Sequence, residues 1–182
     1  MPRAVSASAP GRVNILGNPT DGLEGAYAVV SAAIAMRARL ELKRGGSFRL
    51  SGEGSGFGKL AESALKVLKR YFPEYAERVA EDPPDVEFST EIPPESGLAG
   101  STALIAAFLA ALRCAYGFDR RRLNDYILAE LVQRAEEEAG VVCGYADRYA
   151  CVMGGLKSEI SDETTSVLLE TANFDMLSIR RT

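Results

Sequence analysis

The 182-residue sequence contains no histidine and no tryptophan. Without histidine, the chain can form neither a Ser-His-Asp nor a Cys-His catalytic site, and it cannot form a metal site with a histidine ligand. Proton transfer would fall to carboxylates, lysine or tyrosine. A bound metal would be a hard ion held by oxygen ligands, and Mg²⁺ is the natural choice beside phosphate groups.

Cysteine and long apolar runs are scarce as well. The three cysteines, Cys114, Cys143 and Cys151, are odd in number and show no C-x-x-C spacing, which favours reduced, core-packed thiols over a disulfide framework. The longest apolar helical stretch, residues 102–112, is too short to cross a bilayer, and the N-terminus lacks a charged region followed by an apolar run. We therefore expect a cytoplasmic protein without a membrane partner.

Two common nucleotide-binding fingerprints are also absent, because the chain has neither G-x-x-x-x-G-K-[ST] nor G-x-G-x-x-G after a strand. A net charge of −4 argues against nucleic acid as the main partner. The chain is 47% hydrophobic, which at this length suffices for one core and predicts a single domain over residues 1–182. Its expected partners are small molecules or other proteins.

The strongest local signal is the small-residue loop at residues 92–102, between a predicted strand and a predicted helix. Gly97 and Gly100 lack Cβ atoms, so backbone N–H groups can approach an anion closely, and the first helical turn adds unpaired donors and the positive end of its dipole. The segment predicts a phosphate-binding loop. The alternative is a turn in which Ser101 or Thr102 merely caps the helix.

Two carboxylates follow this loop. In the helix predicted over residues 123–139, helical spacing places Glu136 on the apolar stripe of Val132 and Leu128. A buried carboxylate is costly unless it is paired or binds a metal, so an inward Glu136 needs a cation. Asp147 is either the N-cap of a short helix or a second functional carboxylate. Such a pair near phosphate suits phosphoryl transfer, in which one holds Mg²⁺ and the other orients the attacking hydroxyl.

The N-terminal segment supplies a cation and another carboxylate. Arg12 is permanently charged and can steady phosphate or substrate, while Asp21 can accept hydrogen bonds from sugar hydroxyls. The alternative for Asp21-Gly22 is an ordinary turn.

The rest of the chain alternates between strand and helix patterns. Residues 26–43 read as a strand that leaves the core for a solvated face, and residues 59–72 read as an amphipathic helix that Pro73 ends or resets. Further strands are expected near residues 156–160 and 167–169.

The N-terminal segment, the loop and the carboxylates together resemble the GHMP kinases, the family of galactokinase, homoserine kinase, mevalonate kinase and phosphomevalonate kinase. Residues 9–21, A-P-G-R-V-N-x-x-G-x-x-T-D, are similar to the first family motif. Residues 94–103 are similar to the second, P-x-x-x-G-L-x-G-S-S-A. The resemblance implies an α+β fold, with a left-handed β-α-β unit and a mixed or antiparallel sheet packed against helices.

Within the family, the pattern most resembles the glucuronokinases. Residues 17–22 are similar to their G-N-P-S-D, residues 97–102 to their G-L-S-G-S-S, and residues 136–155 to their second half. Galactokinases have Glu-His where this chain has Asn18 and Pro19. We therefore do not expect a galactose enzyme.

The resemblance also implies a site for ATP and Mg²⁺. Asp147 would orient or deprotonate the sugar hydroxyl with Arg12 beside it, and Glu136 with Ser101 or Thr102 would bind the metal. Arg12, Asn18 and Asp21 would face the sugar. The ATP phosphates would be wrapped by eight loop residues: Glu95, Ser96, Gly97, Leu98, Ala99, Gly100, Ser101 and Thr102.

GHMP kinases have a second, C-terminal domain with a third glycine-rich motif, and nothing after Leu169 supplies it. We favour the N-terminal half of an ATP-dependent sugar or sugar-acid kinase, completed by a separate C-terminal subunit or within a homo-oligomer. The alternatives are a non-catalytic nucleotide- or sugar-binding module and a truncated remnant. A mevalonate-type or heptose-type acceptor is the alternative substrate. Arg12, Arg37 and Arg148 are equal candidates to bind a substrate carboxylate.

Overall fold

One long strand organises the sheet in this structure, which is a computed structural model. Strand β2 (Tyr27–Arg44) pairs along one side with β1 (Ala4–Leu16), and its other side is shared by two partners. Residues 38–44 pair with β4 (Pro84–Thr90), whereas residues 27–32 pair with β5 (Leu156–Ser161). All three pairings are antiparallel. The structure describes residues 3–17, 27–52, 56–141, 145–161, 166–172 and 178–181.

In the part of the chain that the structure describes, three shorter strands extend the sheet. Strand β3 (Leu50–Gly52) pairs with β4 in parallel, β6 (Ser166–Ala172) pairs with β5, and β7 (Ser178–Arg181) pairs with β1. The order across the sheet is β3-β4-β2-β1-β7. The sheet is therefore mixed, as the resemblance implies.

The described residues also form five helices: α1 (Phe57–Tyr71), α2 (Pro73–Glu81), α3 (Gly100–Ala115), α4 (Asp125–Glu138) and α5 (Tyr145–Met153). Helices α1 and α2 connect β3 to its parallel neighbour β4, which forms a β-α-β unit. The left-handed connection expected for this β-α-β unit remains a prediction. No helix within the described ranges has the length and apolarity needed to cross a bilayer.

Helix α3 is the centre of the core. It contacts β1 and β2 on one side and α1, α4 and α5 on the others, which explains why its sequence is apolar around almost the whole helix rather than along one stripe. Phe108 in its middle is fully buried, and burying a side chain of this size contributes about 2–3 kcal/mol. A helix held on all sides fixes its N-terminus in space, and the loop at residues 92–99 leads directly into that N-terminus.

The α+β fold is confirmed, and so are most sequence-based elements. On β2, the predicted alternation is present, since Ala38, Leu40 and Leu42 are buried between exposed or half-buried polar residues. Pro73 resets the helix rather than ending the helical region: it begins α2, where its missing N–H has no helical partner to lose. Helix α4 starts two residues later than predicted because Asn124 caps it, accepting the Ile127 N–H at 3.0 Å.

Candidate functional site

Strand β1 meets the small-residue loop at a bulge. The register between β1 and β2 shifts between Pro10 and Arg12, and the Arg12 N–H donates to the Leu98 carbonyl oxygen at 3.0 Å. A Cβ at Gly11 would lie 2.8 Å from that same oxygen, so only glycine permits this approach of loop and strand. Sequence reasoning did not assign Gly11 a role, although a glycine inside a strand pattern is a signal of close backbone approach.

The Arg12 side chain ties three parts of the site together. Its Nε donates to Asp147 Oδ1 at 2.6 Å, its Nη2 lies 2.5 Å from the same oxygen, and its Nη1 donates to the Gly97 carbonyl oxygen. Arg12 is 6% exposed and Asp147 is 7% exposed. Because both side chains are shielded from solvent, the Arg12 contacts with Asp147 and Gly97 hold β1, the loop and α5 in one arrangement.

The loop itself alternates in backbone conformation. Glu95, Gly97 and Ala99 have positive φ angles of 56°, 70° and 60°. Alternation of this kind can direct successive N–H groups toward one concave side, which suits an anion. The left-handed conformation requires no strain at Gly97 but costs about 1–2 kcal/mol at each non-glycine residue.

Helix α3 begins without a side-chain cap. Its N-cap is Ala99, and no side chain there accepts a helical N–H. The capping alternative for Ser101 and Thr102 is therefore wrong, because both residues lie inside the first turn and their hydroxyls bond elsewhere. A helix N-terminus carries N–H groups without helical partners and the positive end of the helix dipole, and at α3 this end adjoins the loop.

Both hydroxyls donate to one buried carboxylate. Ser101 Oγ lies 2.6 Å and Thr102 Oγ1 lies 2.9 Å from Glu136 Oε1, and Glu136 has no exposed surface. The predicted inward orientation of Glu136 is confirmed. Its neighbours behave as predicted too: the Glu137 side chain is 44% exposed and pairs with Arg134 at 2.9 Å.

These groups line one cavity of about 810 Å³. One wall is the loop with Arg12, Glu136 and Asp147, and the facing wall is the first turn of α1, with Phe57, Lys59 and Leu60. The structure thus brings together Asp147, Arg12, Glu136 and all eight predicted loop residues. No pattern in the sequence marked Lys59, because its proximity depends on how α1 packs opposite the loop.

The donor chemistry at Glu136 fits magnesium. One carboxylate and two hydroxyls offer oxygen ligands, and Mg²⁺ commonly uses one or two carboxylates together with substrate phosphates rather than an all-protein cage. Within the described ranges there is no cluster of three or more His, Cys, Asp or Glu residues that could hold a metal alone. Glu136 with Ser101 or Thr102 could supply part of a Mg²⁺ coordination shell.

Asp147 lies in the first turn of α5, after the helix start at Tyr145. The N-cap alternative for Asp147 is wrong. On the same helix, Cys151 is fully buried, and this burial, with a smaller contribution from nearby Asp147, raises the pKa of its thiol well above the ordinary value. Cys114 and Cys151 are free thiols, as predicted, whereas Cys143 lies outside the described residues.

The other two arginine candidates have protein partners away from the cavity. Arg37 Nε donates to Ser8 Oγ at 3.0 Å on the neighbouring strand. Arg148 Nη2 lies 2.9 Å from Glu130 Oε1. Neither arginine lines the cavity. Of the three arginines considered for a substrate carboxylate, Arg12 alone reaches the site.

The predicted sugar contacts Asn18 and Asp21 lie outside the described residues. Their assignment to the acceptor stays a prediction.

Comparison with known proteins agrees with this geometry. The family model described as the GHMP kinases N terminal domain matches residues 59–155. Glucuronokinase 1 of Arabidopsis thaliana is 34% identical over 109 residues, which cover 59% of this chain and 30% of that protein. A galactokinase of Mycobacterium tuberculosis is 29% identical over a gapped alignment of 189 positions, which covers 94% of this chain and 49% of that protein. The chain thus spans half or less of these relatives.

Solved structures show the same fold at low identity. A D-glycero-D-manno-heptose 1-phosphate kinase superposes with a TM-score of 0.72 at 17% identity, covering 92% of this chain and 60% of that one. Lactococcus lactis galactokinase complexed with galactose gives a TM-score of 0.68 at 19% identity, covering 91% and 47%. With the family model matching more than half of its residues, the chain belongs to the GHMP kinase family.

Proposed function

We propose that this chain is the N-terminal half of an ATP-dependent kinase that transfers a phosphoryl group from Mg-ATP to a hydroxyl of a sugar or sugar acid. The observation that carries the proposal is the meeting of three features in one cavity: the loop at residues 95–102, the hydroxyl–carboxylate cluster at Glu136, and the Arg12–Asp147 pair. The similarity to a glucuronokinase and a galactokinase supports a sugar acceptor.

The loop is suited to the ATP phosphates. Its backbone N–H groups and the N-terminus of α3 offer neutral donors and a positive dipole end to a strongly anionic ligand. Glu136 with Ser101 or Thr102 would hold Mg²⁺, which when bound supplies charge neutralisation between adjacent phosphates. The role of the protein is to align the terminal phosphate with the acceptor.

Asp147 would act on the acceptor. The hydroxyl oxygen of the sugar attacks the γ-phosphorus, and the bond from that phosphorus to the β,γ-bridging oxygen breaks, so ADP leaves with the bonding electrons. The hydroxyl proton passes to the Asp147 carboxylate, which orients the nucleophile beforehand. Arg12 holds Asp147 from one side through the contacts at 2.5 and 2.6 Å, which restrict where the carboxylate can lie.

The acceptor would lie beside Asp147 with Arg12 at its base, and Asn18 and Asp21 would contact it, as the family resemblance implies. A hydroxyl-rich ligand suits these amide and carboxylate groups. We favour a glucuronokinase-like acceptor over galactose, because Asn18 and Pro19 stand where galactokinases have Glu-His. The chain spans half or less of its curated relatives, and groups from the remaining part of the family fold would complete the acceptor site.

The proposal is tested by calorimetric titration of Mg-ATP into the purified chain, with and without glucuronate. We expect binding with a Kd in the micromolar range, about −8 kcal/mol at 1 μM, which tightens when the acceptor is present. A Ser101→Ala, Thr102→Val double variant, which removes both hydroxyls beside Glu136, should weaken the binding. Absence of binding by the intact chain, or equal binding by the double variant, would contradict the proposed nucleotide site.

A further inference from the structure

A second ionic cluster lies behind Asp147, on the side of α5 that faces α4. Glu130 Oε1 accepts hydrogen bonds from Arg148 Nε at 3.1 Å and from the Tyr149 hydroxyl at 2.7 Å, and Arg148 Nη2 lies 2.9 Å from the same oxygen. The Arg148 guanidinium carbon also sits 4.7 Å from the centre of the Tyr149 ring. We call Glu130, Arg148 and Tyr149 the α4–α5 clamp.

The clamp is costly as a purely stabilising device. The Arg148 side chain is 3% exposed, whereas the Glu130 side chain is 41% exposed, and the cost of removing the guanidinium from water offsets much of what the ion pair contributes to stability. The clamp does fix the orientation of the Arg148 side chain, because a planar guanidinium that is held at two nitrogens and lies over an aromatic ring has little freedom to rotate. The clamp therefore fixes how the first turn of α5 is rotated against α4.

This orientation matters because the two cavity carboxylates lie on the two helices that the clamp joins. Glu136 lies on α4, less than two turns beyond Glu130. Asp147 lies on α5, immediately before Arg148. The first turn of α5 is thus held from two sides, by Arg12 of β1 in the cavity and by Glu130 of α4 behind it.

We infer that Glu130, acting through Arg148 and Tyr149, is a positioning residue that sets where the Asp147 carboxylate stands relative to Glu136 and Arg12. The importance of this separation for phosphoryl transfer rests on the proposed function. The placement of Asp147 does not, so it can be tested without turnover.

The test measures hydrogen exchange of the Arg12 Nε–H by NMR, since this group donates to Asp147 at 2.6 Å. Glu130→Gln keeps the shape of the side chain but removes its charge, and we expect exchange to accelerate about tenfold or more as the Asp147 contact opens. Tyr149→Phe removes one hydrogen bond and should give a smaller acceleration in the same direction. It also provides the test if Glu130→Gln fails to fold.

The chain offers a matched control in another ion pair that joins a buried arginine to a carboxylate on α4. Arg113 Nη1 lies 2.7 Å from Asp125 Oδ1, with side chains 3% and 49% exposed, against 3% and 41% for Arg148 and Glu130. Asp125→Asn should lower the melting temperature without altering the Arg12 exchange rate. Equal acceleration by Asp125→Asn and Glu130→Gln, or no acceleration by either clamp variant, would overturn the inference.

A kinetic comparison then links the clamp to catalysis. In an active preparation, Glu130→Gln should lower kcat at least about tenfold while leaving the KM for nucleotide within about twofold, because the phosphate loop is untouched. An unchanged kcat in a variant with accelerated Arg12 exchange would refute the catalytic relevance of the placement. Failure of the kinase proposal itself would show as absence of Mg-ATP binding in the calorimetric titration and would leave the NMR result standing.

Discussion

Replacing Glu136 by glutamine separates a binding role from a structural one. The carboxylate has no exposed surface and accepts hydroxyl hydrogen bonds at 2.6 and 2.9 Å. Hydrogen bonds to a charged group contribute about 1.5–3 kcal/mol each, so the two together offset a burial cost of about several kcal/mol. Glutamine lowers both the hydrogen-bond contribution and the burial cost, because its amide oxygen still accepts the two hydroxyl hydrogen bonds but carries no charge.

We therefore expect Glu136→Gln to change the free energy of unfolding by no more than about 1 kcal/mol, equivalent to about 2–4 °C in melting temperature for a chain of this size. Nucleotide binding should respond differently. Loss of an anionic ligand should weaken Mg-ATP binding about 10–100-fold, or about 1.4–2.7 kcal/mol. Calorimetry at fixed Mg²⁺ and thermal melts of the ligand-free chain measure the two effects independently.

Glu137→Gln is the control for this experiment, since Glu137 is a surface neighbour paired with Arg134. It should leave both the nucleotide affinity and the melting temperature nearly unchanged. A loss of stability above about 3 kcal/mol in Glu136→Gln, with unaltered nucleotide affinity, would refute the reasoning and make the carboxylate a structural group.

Three further predictions follow from the site and its surroundings. Asp147→Asn should abolish turnover in an active preparation while leaving calorimetric Mg-ATP affinity largely intact; substantial residual turnover would remove its assigned role. Gly11→Ala should destabilise the chain by about 1–3 kcal/mol in urea unfolding, because its Cβ would meet the Leu98 carbonyl oxygen at 2.8 Å, and an unchanged midpoint would contradict that contact. Hydrogen bonds from the Arg49 side chain and then from backbone N–H groups lower the pKa of Asp85, so its contribution to stability is complete above about pH 4 and is lost as the pH falls further. Asp85→Asn should thus lose less stability than the wild type between pH 7 and pH 3.

Local sequence signals predicted the parts of the site that depend on one element. Helical spacing alone oriented Glu136, because the stripe it shares with Val132 and Leu128 is the face that packs on the core. The small residues before α3 predicted the loop, because residues without large side chains allow the backbone to approach a ligand closely. The role of Asp147 came from the family resemblance, as the residue alone was equally well explained as a helix cap.

Features that depend on long-range packing were not predicted. Strand β7 was missed because its four residues acquire their conformation from pairing with β1, more than 160 positions earlier in the chain. No local sequence signal predicts that Lys59 lines the cavity, since only the packing of α1 in the fold brings it there. The left-handed conformation of Ala99 could not be predicted either, because alanine rarely adopts a positive φ.

The most direct test is a crystal structure of the chain with Mg²⁺ and a non-hydrolysable ATP analogue. We expect the phosphates to contact the backbone N–H groups of residues 97–101, with Mg²⁺ about 2.1 Å from a Glu136 oxygen and from a hydroxyl of Ser101 or Thr102. The terminal phosphate should lie on the side of the cavity that Asp147 lines. A nucleotide bound elsewhere, or one whose phosphates point away from the α3 N-terminus, would contradict the proposed site.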